Sequence, residues 1–355
     1  MDKVRLASVG LGRWAQVLAR GAQRGEVIEL VSCFSRSEER RATFAAEFGI
    51  PRTPSTYQEL LADPEIEGVV ITTPNDTHKA DIVQAADAGL AVYVEKPIAH
   101  TLEDAVEIAN AVERAGVVLA VGHSARRLSG HRIMKRWIDE GLLGEVSLAE
   151  ANFTTGAGLH LTPDTWRWYA SGSPGGAFIQ LGVHHADTLQ YLLGPVRAVT
   201  AHARKLYTES EVPDAVMAIL EFESGPLGYL GTGWASPGVF TMNLLGTEAN
   251  LMYDVALTHW SESHLIDEHS SLSSQSHQEG ERLAVELPTT DAFREQLEEF
   301  ALAIRGRAQV EVGAAEAIQA LAVVRAALES SNRAGTAVEL REVIEQAGAG
   351  AAAGA

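Results

Sequence analysis

A chain of 355 residues is long enough for two domains, and 46% hydrophobic content supplies ample buried core. A formal charge of −19 argues against general affinity for phosphate backbones or anionic membranes, so neither nucleic acid nor membrane is an expected partner, although a local basic pocket can still hold one phosphate. Cys33, the single cysteine, excludes an internal disulfide, and no Cys/His spacing suits structural zinc, so no metal is expected. Met1-Asp2-Lys3 leads straight into a strand-like run, and no apolar segment reaches the roughly 20 residues of a membrane span. A reducing, cytoplasmic setting is the expectation.

The first third alternates short apolar runs with helical stretches, the pattern of a parallel sheet covered on both faces. Strands are expected at Val4–Val9, Glu29–Phe34, Gly68–Thr72, Ala91–Val94 and Val117–Val121. Helices are expected at Arg13–Arg24, Ser37–Phe48, Thr56–Ala62, His78–Ala88 and Leu102–Ala115. These residues, 1–122, form one expected domain, a Rossmann-type parallel sheet between helices, whose NAD(P) binding rests on the glycine motif below. A second domain is expected over 123–345. Its rhythm begins with a helix at Gly130–Glu140 and a strand at Val146–Phe153. Ala177–Leu193 reads as one helix beneath an antiparallel sheet formed by Val196–Lys205, Ala215–Glu223, Leu227–Trp234 and Val239–Leu245. The polar stretch Ser261–Gly280 reads as an exposed excursion, and His264, His269 and His277 lack a compact ligand spacing. Phe293–Arg305 and Ala314–Arg333 read as amphipathic helices, Gly335 as a stop and Ala337–Leu340 as a last strand. The Ala/Gly tail, 346–355, is expected to be mobile. The fold class is therefore α/β, a Rossmann domain plus a C-terminal α/β domain with a large, open, mainly antiparallel sheet.

Gly10-Leu11-Gly12-Arg13-Trp14-Ala15 matches G-x-G-x-x-G/A and stands between a strand and a helix, the context this motif requires. Gly10 would permit the tight turn, Gly12 would admit a pyrophosphate, and the helix N-terminus at Arg13 and Trp14 would supply amides and partial positive charge. Phe34-Ser35-Arg36-Ser37 occupies the place where an acidic residue would grip a ribose 2′-hydroxyl. With no carboxylate there, Ser35 and Arg36 favour NADP over NAD. Arg40 and Arg41 add charge or form a solvated face with Glu38 and Glu39. Thr73, Pro74 and Asn75 follow the third strand at the edge where open parallel sheets bind ligands, and His78 begins the next helix.

Glu95-Lys96-Pro97 ends the fourth strand, so Lys96 is placed toward the nicotinamide end of a bound cofactor, with Glu95 as its pairing group. A second cluster runs from Gly175-Gly176 to Asp187. Helical spacing puts Gln180, His184 and Asp187 on one face and turns His185 about 100° away. That shared polar face selects His184 as the proton-exchanging imidazole. His123, Arg126, His160, Trp166 and Arg167 are candidates for the substrate end.

Taken together, Gly10-Leu11-Gly12, Thr73-Pro74-Asn75 with His78, Glu95-Lys96-Pro97, Trp166-Arg167, Gly175-Gly176 and His184 with Asp187 resemble the Gfo/Idh/MocA family (glucose-fructose oxidoreductase, inositol dehydrogenase, MocA). The resemblance covers nearly the whole chain. It implies that 123–345 is a substrate-binding and oligomerisation domain, with a cleft between the two domains, a homodimer or homotetramer, a cis Lys96-Pro97 bond, Lys96 on the reacting hydroxyl and His184 as acid/base. Many sugar and polyol dehydrogenases similar to this chain carry Asp where Gln180 stands, so the substrate class is left open. The expected activity is NAD(P)-dependent oxidation of a secondary alcohol, or reduction of the ketone, on a small-molecule sugar, polyol or sugar-like ring. An NAD-dependent glycoside hydrolase and a noncatalytic dinucleotide-binding regulator are the alternatives.

Overall fold

The computed structural model describes residues 2–257, 265–278 and 280–354. Two compact units result, Met1–His123 with Asp291–Ala317, and Ser124–Thr290 with Ile318–Ala355.

In the first unit, β1 (Val4–Val9), β2 (Ile28–Phe34), β3 (Gly68–Ile71), β4 (Ala91–Glu95) and β5 (Leu119–Gly122) form a parallel sheet in the order β2-β1-β3-β4-β5. The strands are buried almost throughout because helices cover the sheet, and their runs are accordingly apolar rather than alternating. Crossovers are made by α1 (Arg13–Arg24), α2 (Glu38–Phe48) with α3 (Tyr57–Leu61), α4 (His78–Asp87) and α5 (Leu102–Ala115). Ser37, Thr56 and Thr101 cap α2, α3 and α5 by accepting backbone N–H bonds. Strand register pairs Val9 with Phe34 and Ile71, Ile71 with Val94, and Glu95 with Gly122. The residues just beyond these, Gly10, Ser35, Thr72, Lys96 and His123, therefore line one carboxyl edge.

Helix α8 (Ala292–Ile304) belongs to this first unit, although chain order groups it with residues 123–345. Its apolar stripe explains the return. Phe293 meets Trp14 at 5.9 Å, Phe300 meets Tyr93 at 6.0 Å, and Arg24 donates to Asp291 at 2.6 Å.

Among the described residues the second unit has nine strands: β6 (Val146–Thr154), β7 (Val196–Arg204), β8 (Ala215–Phe222), β9 (Leu227–Gly233), β10 (Val239–Gly246), β11 (Ala249–Asp254), β12 (Ser271–Ser276), β13 (Leu283–Val285) and β14 (Val338–Glu339). Their order is β13-β12-β11-β10-β6-β9-β8-β7-β14, and every neighbouring pair is antiparallel except β6 with β9. Helices α6 (Ser129–Asp139), α7 (Val183–Leu193), α9 (Ala314–Asn332, in this unit from Ile318 on) and α10 (Leu340–Gly354) complete the fold, with α7 and α10 against the sheet.

Three expectations change. Part of the polar stretch Ser261–Gly280 is strand β12, whose alternation buries Leu272 and Ser274; His264 lies outside the described residues. The Ala/Gly tail expected to be mobile continues α10 to Gly354, because alanine is the strongest helix former and Ala347 and Ala351, one turn apart, are buried. The expected helix Ala177–Leu193 opens with a π-helical turn at Phe178–Gly182 before α7. A Cβ on Gly182 would lie 2.4 Å from the Phe178 ring, so the glycine admits that ring and the turn widens around it.

Candidate active site

On the first unit, Gly10 turns with φ +84°, and a Cβ there would lie 2.7 Å from Thr73 N and 2.9 Å from Thr72 C. The backbone approach that closes this loop thus requires glycine. A Cβ on Gly12, by contrast, would meet nothing within 4 Å. Gly12 is the N-cap of α1, which has neither a side-chain cap nor an acidic residue in its first turn, so its N-terminal amides and dipole face an open space. Asn75 Nδ2 is buried without a hydrogen-bond partner among the described residues. Open space, amides and an orphaned donor fit a dinucleotide on this edge. Arg13 is exposed, and Trp14 is half-buried against Phe293.

At the end of β2, Ser35 Oγ donates to Ser37 O at 3.2 Å, and Arg41 Nη1 donates to Ser35 O at 2.7 Å. Arg41 therefore braces the turn. Arg36 is exposed and makes no side-chain hydrogen bond or ion pair among the described residues. Arg40 is exposed on α2.

Beyond β3, Thr73 Oγ1 and Thr77 Oγ1 donate to Asp81 Oδ2 at 2.7 and 3.0 Å. His78 is buried beneath the loops, with Nδ1 3.0 Å from Pro97 O and Nε2 2.9 Å from Thr73 O. Burial lowers its pKa while the two carbonyls oppose the shift. The neutral ring donates to one of these carbonyls, and its place between them sets His78 at the junction of the Thr73 and Pro97 loops.

Lys96 is half-buried and its bond to Pro97 is cis. Beside it, Glu95 is 8% exposed, and burial raises its pKa to about 7 against the opposing pull of the Lys96 cation. Tyr93, two residues earlier and on the same strand face, donates to Glu95 Oε1 at 3.3 Å. A Cβ on Gly122 would lie 2.4 Å from Tyr93 Oη and 2.7 Å from Glu95 Oε1, so glycine at the partner position makes room for the carboxyl. His123, the next residue, is buried at 2% exposure.

In the second unit, Gln180 lies in the π turn, and the regular α-helical spacing expected between it and His184 does not extend to it. Its Nε2 donates to Ser173 Oγ at 3.2 Å and its Oε1 accepts from Arg167 Nε at 3.4 Å. Arg167 lies 4.2 Å over the Trp166 ring. His184, on α7, packs its ring 5.6 Å from Phe153. His185 is enclosed: Nε2 faces Asn152 O at 3.1 Å, Phe240 is 4.4 Å away, and burial pushes its pKa down to about 3. Asp187 is held by Arg126 through two bonds, at 2.6 and 2.8 Å. His160 is exposed.

Two supporting residues are absent from the sequence reading. Tyr93 was legible in principle, since strand alternation puts it on the face of Glu95. Ser173, fully buried and bonded to Gln180, carries no local signal, because a serine before Pro174-Gly175 reads as an ordinary turn residue.

Residues 4–123 match the model of an oxidoreductase family with an NAD-binding Rossmann fold, GFO/IDH/MocA, and residues 131–252 match the GFO/IDH/MocA C-terminal domain. A 1,5-anhydro-D-fructose reductase of Ensifer adhaerens is 35% identical over 68% of this chain and 75% of its own length. A scyllo-inositol 2-dehydrogenase (NAD(+)) of Bacillus subtilis is 30% identical over 70% and 73%. The crystal structure of a Desulfitobacterium hafniense protein, provisionally named an NADPH-dependent oxidoreductase, superposes with a TM-score of 0.94 at 41% identity, covering 97% of this chain and 99% of that one. With both halves matched in order and a glycine edge that fits a dinucleotide, the chain belongs to the Gfo/Idh/MocA family of NAD(P)-binding oxidoreductases.

Proposed function

We propose that the protein transfers hydride between nicotinamide and a secondary alcohol or ketone on a sugar, polyol or sugar-like ring. The observation that carries this reading is Lys96 at the carboxyl edge of the same parallel sheet whose first strand leads into Gly10-Leu11-Gly12. The named relatives support a ring substrate, since one is called an anhydrofructose reductase and another an inositol dehydrogenase.

Bound nicotinamide supplies the hydride acceptor in oxidation and the donor in reduction. In oxidation, His184 takes the hydroxyl proton while Lys96 stabilises the developing alkoxide, an attraction stronger in the transition state than before it. One alcohol and one NAD(P)+ give one ketone, one NAD(P)H and one proton. Reduction reverses each role. Thr73, Pro74, Asn75 and Glu95 shape the cofactor edge, and Gln180, Trp166, Arg167, His160, His123 and Arg126 are proposed for the substrate side or its support. Arg36, exposed at the end of β2, favours NADP through its guanidinium. Copies of the chain are proposed to associate through the solvent face of the nine-stranded sheet, where Leu148, Met217, Ile219 and Leu227 are exposed.

The test is a panel of sugars, inositols, anhydrosugars and cyclic diols, assayed separately with NAD+ and NADP+. Accumulating reduced cofactor matched by ketone supports hydride transfer. Sugar release at constant cofactor redox state would favour the glycoside hydrolase, and cofactor binding without turnover of any member would favour the regulator.

A further inference from the structure

Arg167 is a half-buried cation that forms no ion pair among the described residues; the carboxylate of Glu211, nearby in the chain's fold, accepts instead from the backbone N–H of Ala170 at 3.0 Å. Its guanidinium rests on the Trp166 ring at 4.2 Å, and among the described residues its one side-chain hydrogen bond runs from Nε to the neutral amide of Gln180 at 3.4 Å. Ser173 fixes that amide by accepting from its Nε2 at 3.2 Å, which leaves Oε1 turned to the arginine. Among the described residues no carboxylate pairs with Arg167, and burial lowers its pKa with no neighbouring charge to offset the shift.

Arg126, in the same unit, shows the contrast. There a buried arginine is matched by Asp187 through two bonds. A cation taken partly out of water is costly unless an opposite charge meets it, so an arginine retained for packing would be served as well by an uncharged side chain. Glutamate at position 180 would neutralise Arg167 from within the protein; glutamine keeps the accepting oxygen and leaves the charge.

We propose that the ring substrate carries a carboxylate and that Arg167 receives it, an inference that rests on the hydride-transfer reading above. With Nε engaged by Gln180, the two terminal nitrogens remain as a planar pair of donors, which matches the two oxygens of a carboxylate. One guanidinium also balances one carboxylate. A phosphate, with about two negative charges, would need a second cation.

The experiment compares hexoses and inositols with hexuronates, quinate and hexose phosphates on cofactor-loaded protein, reading both calorimetric affinity and cofactor reduction. Acids are expected to be favoured over their neutral counterparts by at least about tenfold, chiefly in KM. Arg167→Gln and Gln180→Glu should each abolish the acid-to-neutral ratio, and Arg167→Lys should restore part of it. Equal or weaker binding of the acids, preference for the phosphates, or an unchanged ratio in Arg167→Gln would overturn the carboxylate. If no acid binds while neutral rings reduce the cofactor, the carboxylate fails and hydride transfer stands. If no member binds or reacts, both fail.

Discussion

Arg126 closes on Asp187 through two bonds, Nε to Oδ2 at 2.6 Å and Nη2 to Oδ1 at 2.8 Å, with side chains only 8% and 0% exposed. The pair ties the short turn Ser124–Arg127 to α7, one helical turn beyond His184. Removing one partner leaves the other charge buried, so Asp187→Asn should cost about 3–5 kcal/mol. Urea unfolding measures this. Replacing both partners, Arg126→Met with Asp187→Leu, should recover most of the loss, and a wild-type midpoint in Asp187→Asn would remove the structural role of the pair.

The two motif glycines should separate stability from cofactor binding. At Gly10 an added Cβ collides with the Thr72–Thr73 backbone at positive φ, so Gly10→Ala should lower both the melting temperature and dinucleotide affinity. At Gly12 the Cβ meets nothing, so Gly12→Ala should cost no more than about 1 kcal/mol of stability. Calorimetric titration with NADP+ should nevertheless show affinity reduced by at least about tenfold, because the methyl fills space a pyrophosphate needs. Undiminished affinity in Gly12→Ala would place the dinucleotide elsewhere.

Glu95 should make stability depend on pH. Burial raises its folded pKa to about 7 from the ordinary 4.5, so the folded state binds the proton more tightly than the unfolded chain. Its contribution is fully present below pH 4.5 and is lost as pH rises toward 7, at no more than about 1.4 kcal/mol per pH unit. Glu95→Gln removes the titration. Melting temperatures taken across that range should show the variant gaining on wild type as pH rises, whereas a constant offset would contradict a raised Glu95.

Arg36 should set cofactor choice. Exposed at the end of β2 and unpaired among the described residues, it offers a charge to a 2′-phosphate. Arg36→Gln should lower the NADP-to-NAD ratio of kcat/KM by about tenfold or more. A wild-type enzyme that turns over NAD and does not bind NADP would defeat this role.

The first unit was largely legible because its signals are local. An apolar run, a glycine turn and a capped helix each announce themselves within a few residues, and parallel register then aligns Gly10, Ser35, Thr72 and Lys96. What stayed hidden depends on distant partners. Helix α8 returns to α1 because Phe293 meets Trp14, a contact between residues far apart in the chain. The π turn depends on Phe178 entering the space beside Gly182, and β12 is a serine-rich strand that pairing with β11 organises. Likewise, spacing could separate His184 from His185, but only packing shows His185 sealed against Phe240. Gln180 was visible as a departure, while its bonds to Ser173 and Arg167 required the fold.

The most direct measurement is the rate of nicotinamide reduction by a turned-over ring alcohol in the wild type, Lys96→Met and His184→Ala, with each variant shown to be folded and cofactor-bound. The mechanism predicts that each substitution lowers kcat by at least about 100-fold, because Lys96→Met loses alkoxide stabilisation and His184→Ala loses proton removal at the chemical step. Wild-type kcat in either variant would contradict it.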